Sequence, residues 1–79
     1  MPSALDFVLT VAKQLVDRPE EVSARWVDGP EGKGFVELTV TPSERGKIIG
    51  RRGRTIDSLR SLVTAAFGQG GPIGVEVAE

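Results

Sequence analysis

The chain of 79 residues is the size of one small domain, and its net charge of −1, with 27% charged and 39% hydrophobic residues, is ordinary for a folded globular protein. It has no cysteine and no histidine, which excludes disulfides and removes the commonest metal ligands and acid-base side chains. We therefore expect a single domain over residues 1–79 that is not an enzyme and holds no cofactor or metal. Because neither a signal peptide nor an apolar run of the ~20 residues that span a bilayer is present, we expect a cytoplasmic protein without a membrane partner.

The first half of the chain predicts a helix followed by a β-hairpin. Apolar residues recur at helical spacing from residue 3 to residue 17, and Pro19 ends this pattern. Two segments of alternating character, residues 22–28 and 35–41, are separated by a run rich in glycine and proline. These features predict an antiparallel pair of strands.

The second half predicts two helices and a strand. Thr41 and Pro42 resemble a helix start, with Glu44 as an acid that can return a hydrogen bond to the backbone of the cap, and we expect this short helix to stop at Gly50. A third helix with 3-4 apolar spacing follows, and residues 73–78 alternate like a half-buried strand. The order α-β-β-α-α-β predicts an α+β fold in which the helices pack on one face of a three-stranded sheet.

The charges of the chain are unevenly distributed. Between Arg45 and Arg60 there are six basic residues and one acidic residue, so this segment carries +5. The rest of the chain therefore carries −6. A local basic segment favours a nucleic-acid partner even though the net charge of the whole chain does not.

The centre of the basic segment is Gly50-Arg51-Arg52-Gly53, hereafter the GxxG loop, which lies between the second and third predicted helices. Glycine allows a close approach of backbone to a ligand and a positive φ, and the N-terminus of the next helix offers free amide hydrogens. This combination suits a chain of phosphates. On spacing alone, a simple turn between helices with solvated arginines remains an alternative.

The longer segment Gly46-Lys47-Ile48-Ile49-Gly50-Arg51-Arg52-Gly53-Arg54-Thr55-Ile56 resembles the signature of KH domains, in which such a loop joins two helices. The order of elements resembles the type II, prokaryotic KH fold, and the resemblance covers essentially the whole chain. In size, the chain is similar to the small bacterial single-KH proteins of the KhpA family.

This resemblance implies binding of single-stranded RNA, with the loop clamping a backbone of about four nucleotides while bases enter an adjoining groove. Ile49 and Ile56 would line the groove, with Ile48 behind them. Lys47 and Arg54 would widen the basic rim. The residues implied as the RNA site are Lys47, Ile49, Gly50, Arg51, Arg52, Gly53, Arg54 and Ile56.

No aromatic residue lies beside the loop, so base stacking is expected to contribute little, and binding should be weak, salt-dependent and of modest specificity. We expect Trp26 and Phe35, on the predicted strands, to be packing residues, with a subunit contact on an open sheet face as the alternative.

The resemblance implies a post-transcriptional regulator or an RNA chaperone. Two alternatives remain open. The first is a protein-interaction adaptor that forms a homodimer, or a heterodimer with a KhpB-like RNA-binding partner. The loop also fits single-stranded DNA, because phosphate contacts do not distinguish the two sugars.

Overall fold

A computed structural model of the chain describes residues 3–78 and contains three α-helices and three strands. In chain order they are α1 (Ala4–Leu15), β1 (Ser23–Asp28), β2 (Gly34–Thr39), α2 (Arg45–Ile49), α3 (Arg54–Phe67) and β3 (Gly74–Val77). The α+β fold class and the order α-β-β-α-α-β predicted from the sequence are confirmed.

The central strand of the sheet is β2, which pairs antiparallel with β1 and parallel with β3. Parallel strands cannot be joined by a tight turn, because the chain must cross back to the same end of the sheet. Helices α2 and α3 make this crossover. The basic segment of the sequence is therefore the connection that the parallel pairing requires.

The core lies between one face of the sheet and the three helices. Side chains at alternate positions of β2, together with Val75 of β3, are fully buried, whereas Glu37 between them is only half-buried. From α3, Ile56, Leu59 and Val63 enter the core at the predicted 3-4 spacing. The fully buried apolar side chains of largest volume are Val8, Val36, Leu38, Ile48, Val63 and Val75.

The ends of the elements differ from the predicted ends by one to three residues. Helix α1 stops at Leu15 rather than residue 17, because Val16 adopts extended backbone with φ −109° and ψ 162°. At the other end of this helix, Ser3 caps it by accepting a hydrogen bond from the backbone N–H of Asp6 at 3.1 Å. All three strands are one or two residues shorter at one or both ends than the alternating segments.

The predicted capping role of Glu44 is wrong. The chain enters α2 through a 3₁₀ turn over Pro42–Glu44, and Thr41 makes no side-chain capping bond. The Glu44 carboxylate instead accepts the backbone N–H of Asp17, 27 residues earlier, at 2.7 Å. A long-range contact thus replaces the local one, which spacing alone could not indicate.

Trp26 lies on the helix-facing side of the sheet, opposite Val36, yet it is 40% exposed. Its indole N–H donates to Asp28 Oδ1 at 2.9 Å, and its ring covers Gly34 on the neighbouring strand. Phe35 lies on the other face of the sheet and is half-buried. Within residues 3–78, no helix is long and apolar enough to cross a membrane.

Replacing Gly34 by alanine should destabilise the fold. A Cβ built there lies 2.5 Å from a ring carbon of Trp26 and 2.6 Å from the carbonyl oxygen of Val27, so the backbone or the indole must move. We expect a loss of about 1–3 kcal/mol in the free energy of unfolding, measured with urea. The matched control is Gly46→Ala, where a Cβ meets nothing within 4 Å and alanine favours the helix. Equal stability of Gly34→Ala and wild type would contradict this packing.

Candidate nucleic-acid interface

The GxxG loop forms a tight turn in which three of its four residues have positive φ. Gly50 has φ +77°, Gly53 has φ +74°, and Arg52 between them lies in the left-handed region at φ 58° and ψ 28°. The N–H of Gly50 donates to the carbonyl of Gly46 at 2.8 Å, and the N–H of Gly53 donates to the carbonyl of Gly50 at 3.1 Å. The loop is therefore a defined, hydrogen-bonded turn at the end of α2.

The two glycines are required for different reasons. A Cβ at Gly50 would lie 2.6 Å from the Cβ of Thr55 and 2.9 Å from its backbone nitrogen, so this position has no room for a side chain. A Cβ at Gly53 would meet nothing within 4 Å. Gly50 therefore packs against the first turn of α3, whereas Gly53 faces open space and is constrained only by its left-handed φ.

Three arginines surround the start of α3 with their charges unpaired. The side chains of Arg51, Arg52 and Arg54 are exposed, and none of them forms an ion pair with another residue in the part of the chain that the structure describes. Each guanidinium presents five N–H donors in a planar fork that matches phosphate geometry. These three side chains form a cluster of unpaired, exposed guanidiniums beside the GxxG loop.

The N-terminus of α3 adds to this surface. Gly53 occupies the cap position and has no side chain to accept from the first-turn amides. The first N–H groups of a helix have no partner inside it, and the helix dipole places a partial positive charge there. The only acid in this first turn, Asp57, is bound by Arg60 at 2.7 Å. Backbone donors and free guanidiniums therefore occur together in one place.

Two other cations of the basic segment are engaged elsewhere. Arg60 donates from Nε to the carbonyl of Val75 at 2.9 Å and also reaches Glu76 at 3.2 Å, which ties α3 to β3. Lys47 donates to the Asp17 carboxylate and lies 3.7 Å from Glu44 Oε1. The available basic surface is thus narrower than the +5 of the sequence implies.

The pairing of Lys47 with Asp17 shifts the pKa values of both groups. The hydrogen bond from Lys47, with the attraction of its charge, holds the pKa of Asp17 below its usual 3.8. The same hydrogen bond raises the pKa of Lys47 above 10.5, against a smaller opposing effect of burial. Both shifts show that the charged forms of the pair stabilise each other.

The isoleucines predicted for the groove occupy different environments. Ile48 is fully buried, as expected for a residue behind the groove. Ile49, directly before the loop, is half-buried and retains apolar surface. Ile56 is only 6% exposed and belongs to the core. The structure therefore brings Ile49 to the surface beside the loop arginines, while Ile56 has little surface to offer a base.

Thr55 and Asp17 also contribute to the site, and neither was predicted from the sequence. Thr55 packs against Gly50 and closes the loop from the helix side, and its position two residues after Gly53 is a signal that could have indicated such a contact. Asp17 meets Lys47 across 30 residues of sequence, for which the sequence offers no local signal. In residues 3–78 no group of three potential metal-ligating side chains comes together.

A comparison with protein families matches residues 5–77 to the family described as the KhpA/KhpB KH domain. The chain belongs to this family. The match covers the three helices and the three strands except the first residue of α1, and it includes residues 50–53.

Individual members of the KhpA/KhpB family are similar over most of their length. A protein of Chlamydia caviae is 47% identical over 60 residues, which is 76% of each chain. A protein of Caldanaerobacter subterraneus is 41% identical over 61 residues, covering 77% of this chain and 80% of its own. A protein of Aquifex aeolicus is 40% identical over 65 residues, covering 82% and 81%. All three are named RNA-binding protein KhpA. No solved structure matches the chain.

The contrast between the two loop glycines gives a testable prediction. Gly53→Ala should lose about 1–2 kcal/mol of stability, the cost of a left-handed alanine without a clash. Gly50→Ala carries the same cost and must also displace Thr55, so its loss should be larger. Urea unfolding of the two variants measures the difference. Equal losses would show that Thr55 does not pack against Gly50 as described.

A second prediction concerns the dependence of stability on pH. Because the pKa of Asp17 is lowered, its contribution is present above 3.8 and is lost as the pH falls through the lowered value. Because the pKa of Lys47 is raised, its contribution is present below 10.5 and is lost as the pH rises through the raised value. The stability difference between wild type and Asp17→Asn should therefore be constant between these limits and shrink beyond both. A difference that grows in acid would contradict the pairing.

Proposed function

We propose that the chain is a non-enzymatic RNA-binding module in which the GxxG loop clamps the backbone of single-stranded RNA. The observation that carries this proposal is the group of three exposed, unpaired guanidiniums of Arg51, Arg52 and Arg54 at the start of α3. The relatives named as RNA-binding proteins support the same function.

The geometry of the loop suits different groups to different parts of the RNA. Open space at Gly53 and the free amides of α3 allow a phosphate to approach the backbone closely, while the arginines neutralise neighbouring phosphates. Ile49 offers apolar surface on which a base can pack. Two further residues were also predicted from the sequence. Lys47 is exposed but pairs with Asp17, and Ile56 is buried, so each would contribute to the site mainly through its position on α2 or α3.

The number of free cations sets the expected salt dependence. Each neutralised phosphate of a single strand contributes about −0.7 to the slope of log affinity against log salt concentration. Three or four contacted phosphates therefore predict a slope of roughly −2 to −3. If Arg51, Arg52 and Arg54 each neutralise one phosphate, we expect a value near −2. We expect such binding to be weak and to depend on the phosphate charges more than on the base sequence.

The double variant Arg51→Asp/Arg52→Asp should abolish binding of a single-stranded RNA oligonucleotide in fluorescence anisotropy, because it replaces attraction by repulsion at the phosphates. Both side chains are exposed and without ion pairs in the described chain, so the unfolding midpoint in urea should change little. The matched control is Lys13→Asp/Lys33→Asp, which makes the same change in net charge at exposed positions outside the site. Unchanged RNA affinity of the arginine variant would refute the proposed function.

A separate measurement distinguishes RNA from single-stranded DNA as the ligand. The contacts available at the loop are to phosphates, which RNA and single-stranded DNA share. Competition between RNA and DNA oligonucleotides of matched sequence distinguishes the two, and a preference for RNA supports the proposal. Equal competition would assign the site to single strands in general.

A protein-interaction adaptor is the second candidate function, and the observation that favours it is Leu62 on α3, which is 56% exposed. An apolar side chain at this exposure fits a contact with a second copy or with a KhpB-like RNA-binding partner. The two functions can coexist, since the loop precedes α3 whereas Leu62 lies in the second half of that helix. Sedimentation of the isolated protein with and without RNA discriminates, because a stable dimer indifferent to RNA favours the adaptor.

In the cell, an RNA clamp of low sequence specificity fits post-transcriptional regulation or an RNA-chaperone activity in the cytoplasm. A second RNA-binding surface, from a homodimer or a partner, would raise the overall affinity through avidity. Crosslinking in cells followed by sequencing of the bound transcripts identifies the targets.

A further inference from the structure

Glu44 is the buried charged residue of the described chain, and it lies where the chain enters α2. It is 5% exposed. Its Oε1 accepts the backbone N–H of Asp17 at 2.7 Å, while its Oε2 is buried and has no hydrogen-bond partner. A carboxylate removed from water is costly unless a cation or further donors compensate its charge. Glu44 therefore requires a nearby positive charge.

Lys47 supplies this charge. Its Nζ lies 3.7 Å from Glu44 Oε1, one helical turn further along the chain, and it also donates to Asp17 Oδ2. In residues 3–78, no other cation lies within 4.0 Å of the Glu44 carboxylate. We call Asp17, Glu44 and Lys47 the clasp, because together they join the end of α1 to α2.

The clasp is important because it joins α2, which directly precedes the GxxG loop, to the end of α1. The helix is five residues long, and it contributes one buried side chain, Ile48, to the core. The GxxG loop begins at the residue that follows its last turn. A shift of α2 therefore moves Gly50 and the hydrogen bond that Gly50 donates to Gly46.

We infer that Lys47 is a positioning residue of the RNA site, which holds α2 and the GxxG loop in their binding geometry and makes no contact with phosphate. This inference rests on the proposed RNA-binding function. It revises the sequence-based prediction that Lys47 widens the basic rim beside Arg54. If Lys47 turned towards a phosphate, the buried Glu44 would lose its counterion, whereas the free arginines of the loop can bind phosphate without such a cost.

The test compares Lys47→Met, Asp17→Asn and the double variant by RNA anisotropy over a series of salt concentrations. Each single change should reduce the RNA affinity roughly two- to five-fold. The reason is that loss of an ion pair near the surface makes the binding geometry of α2 and the loop less favoured. The salt slope should stay at the wild-type value. The double variant should bind no more weakly than Lys47→Met, because both changes break the same contact.

Three matched variants calibrate these measurements. Lys13→Met and Glu20→Gln remove one charge each at exposed positions and should leave the affinity within the error of wild type, apart from the general effect of net charge. Arg54→Gln removes a proposed phosphate contact and should reduce the slope by about 0.7. Asp17 has an 82% exposed side chain, so Asp17→Asn keeps the test available if Lys47→Met does not fold.

Several results would overturn the inference. The inference is wrong if Lys47→Met reduces the salt slope by about 0.7, or if Asp17→Asn binds RNA more tightly than wild type. It is also wrong if the losses in the double variant are additive, or if both single variants bind with unchanged affinity. If wild type binds no RNA, the proposed function fails, and hydrogen exchange at the Gly50 amide then tests the clasp alone. Faster exchange in Lys47→Met supports the positioning role, and unchanged exchange refutes it.

Discussion

The parallel pairing of β2 with β3 is the constraint on which the rest of the structure depends. It forces the chain to cross back over the sheet between Thr39 and Gly74, and the crossover must bury apolar surface on the same face as α1. Helix α3 does this with Ile56, Leu59 and Val63. Since α3 is fixed along the sheet by these side chains, its first turn, and with it the GxxG loop, is held at one position. The loop is therefore placed by the core.

Only some of the basic residues of the domain are available to a ligand, because others bind acidic residues or backbone carbonyls of the chain. Of the six basic residues between Arg45 and Arg60, Arg60 holds α3 against β3, and Lys47 compensates buried and exposed carboxylates. Arg45 makes no ion pair within residues 3–78, but its Nε is buried, so the exposed guanidiniums of Arg51, Arg52 and Arg54 remain for a ligand. Acidic residues thus pair with part of the basic segment, and the unpaired guanidiniums at the loop form a small, concentrated patch on a protein whose net charge is −1. Such a patch acts at short range, because the surrounding acids cancel its field at a distance.

Much of the fold could be predicted from the sequence, because its signals are local. Residues close together in the chain produce each of these signals. They are the 3-4 apolar spacing of α3, the end of the first helical pattern before Pro19, and the alternation of β2. The glycine pair similarly indicated the loop. Glu44 shows the limit, since its spacing from Thr41 indicated a cap while its carboxylate in fact binds a backbone amide 27 residues away. The pairing of Lys47 with Asp17 likewise depends on how α1 meets α2, which no local pattern encodes.

The left-handed backbone of Arg52 has a consequence for any attempt to improve this domain. Glycine, and to a lesser degree asparagine, adopts φ near +58° more easily than arginine does. Selection for thermal stability alone would therefore favour replacing Arg52 and would discard a loop guanidinium in the process. Under the proposed function, stability and binding would select in opposite directions at this residue, and its retention in an engineered variant would need a selection that includes nucleic acid.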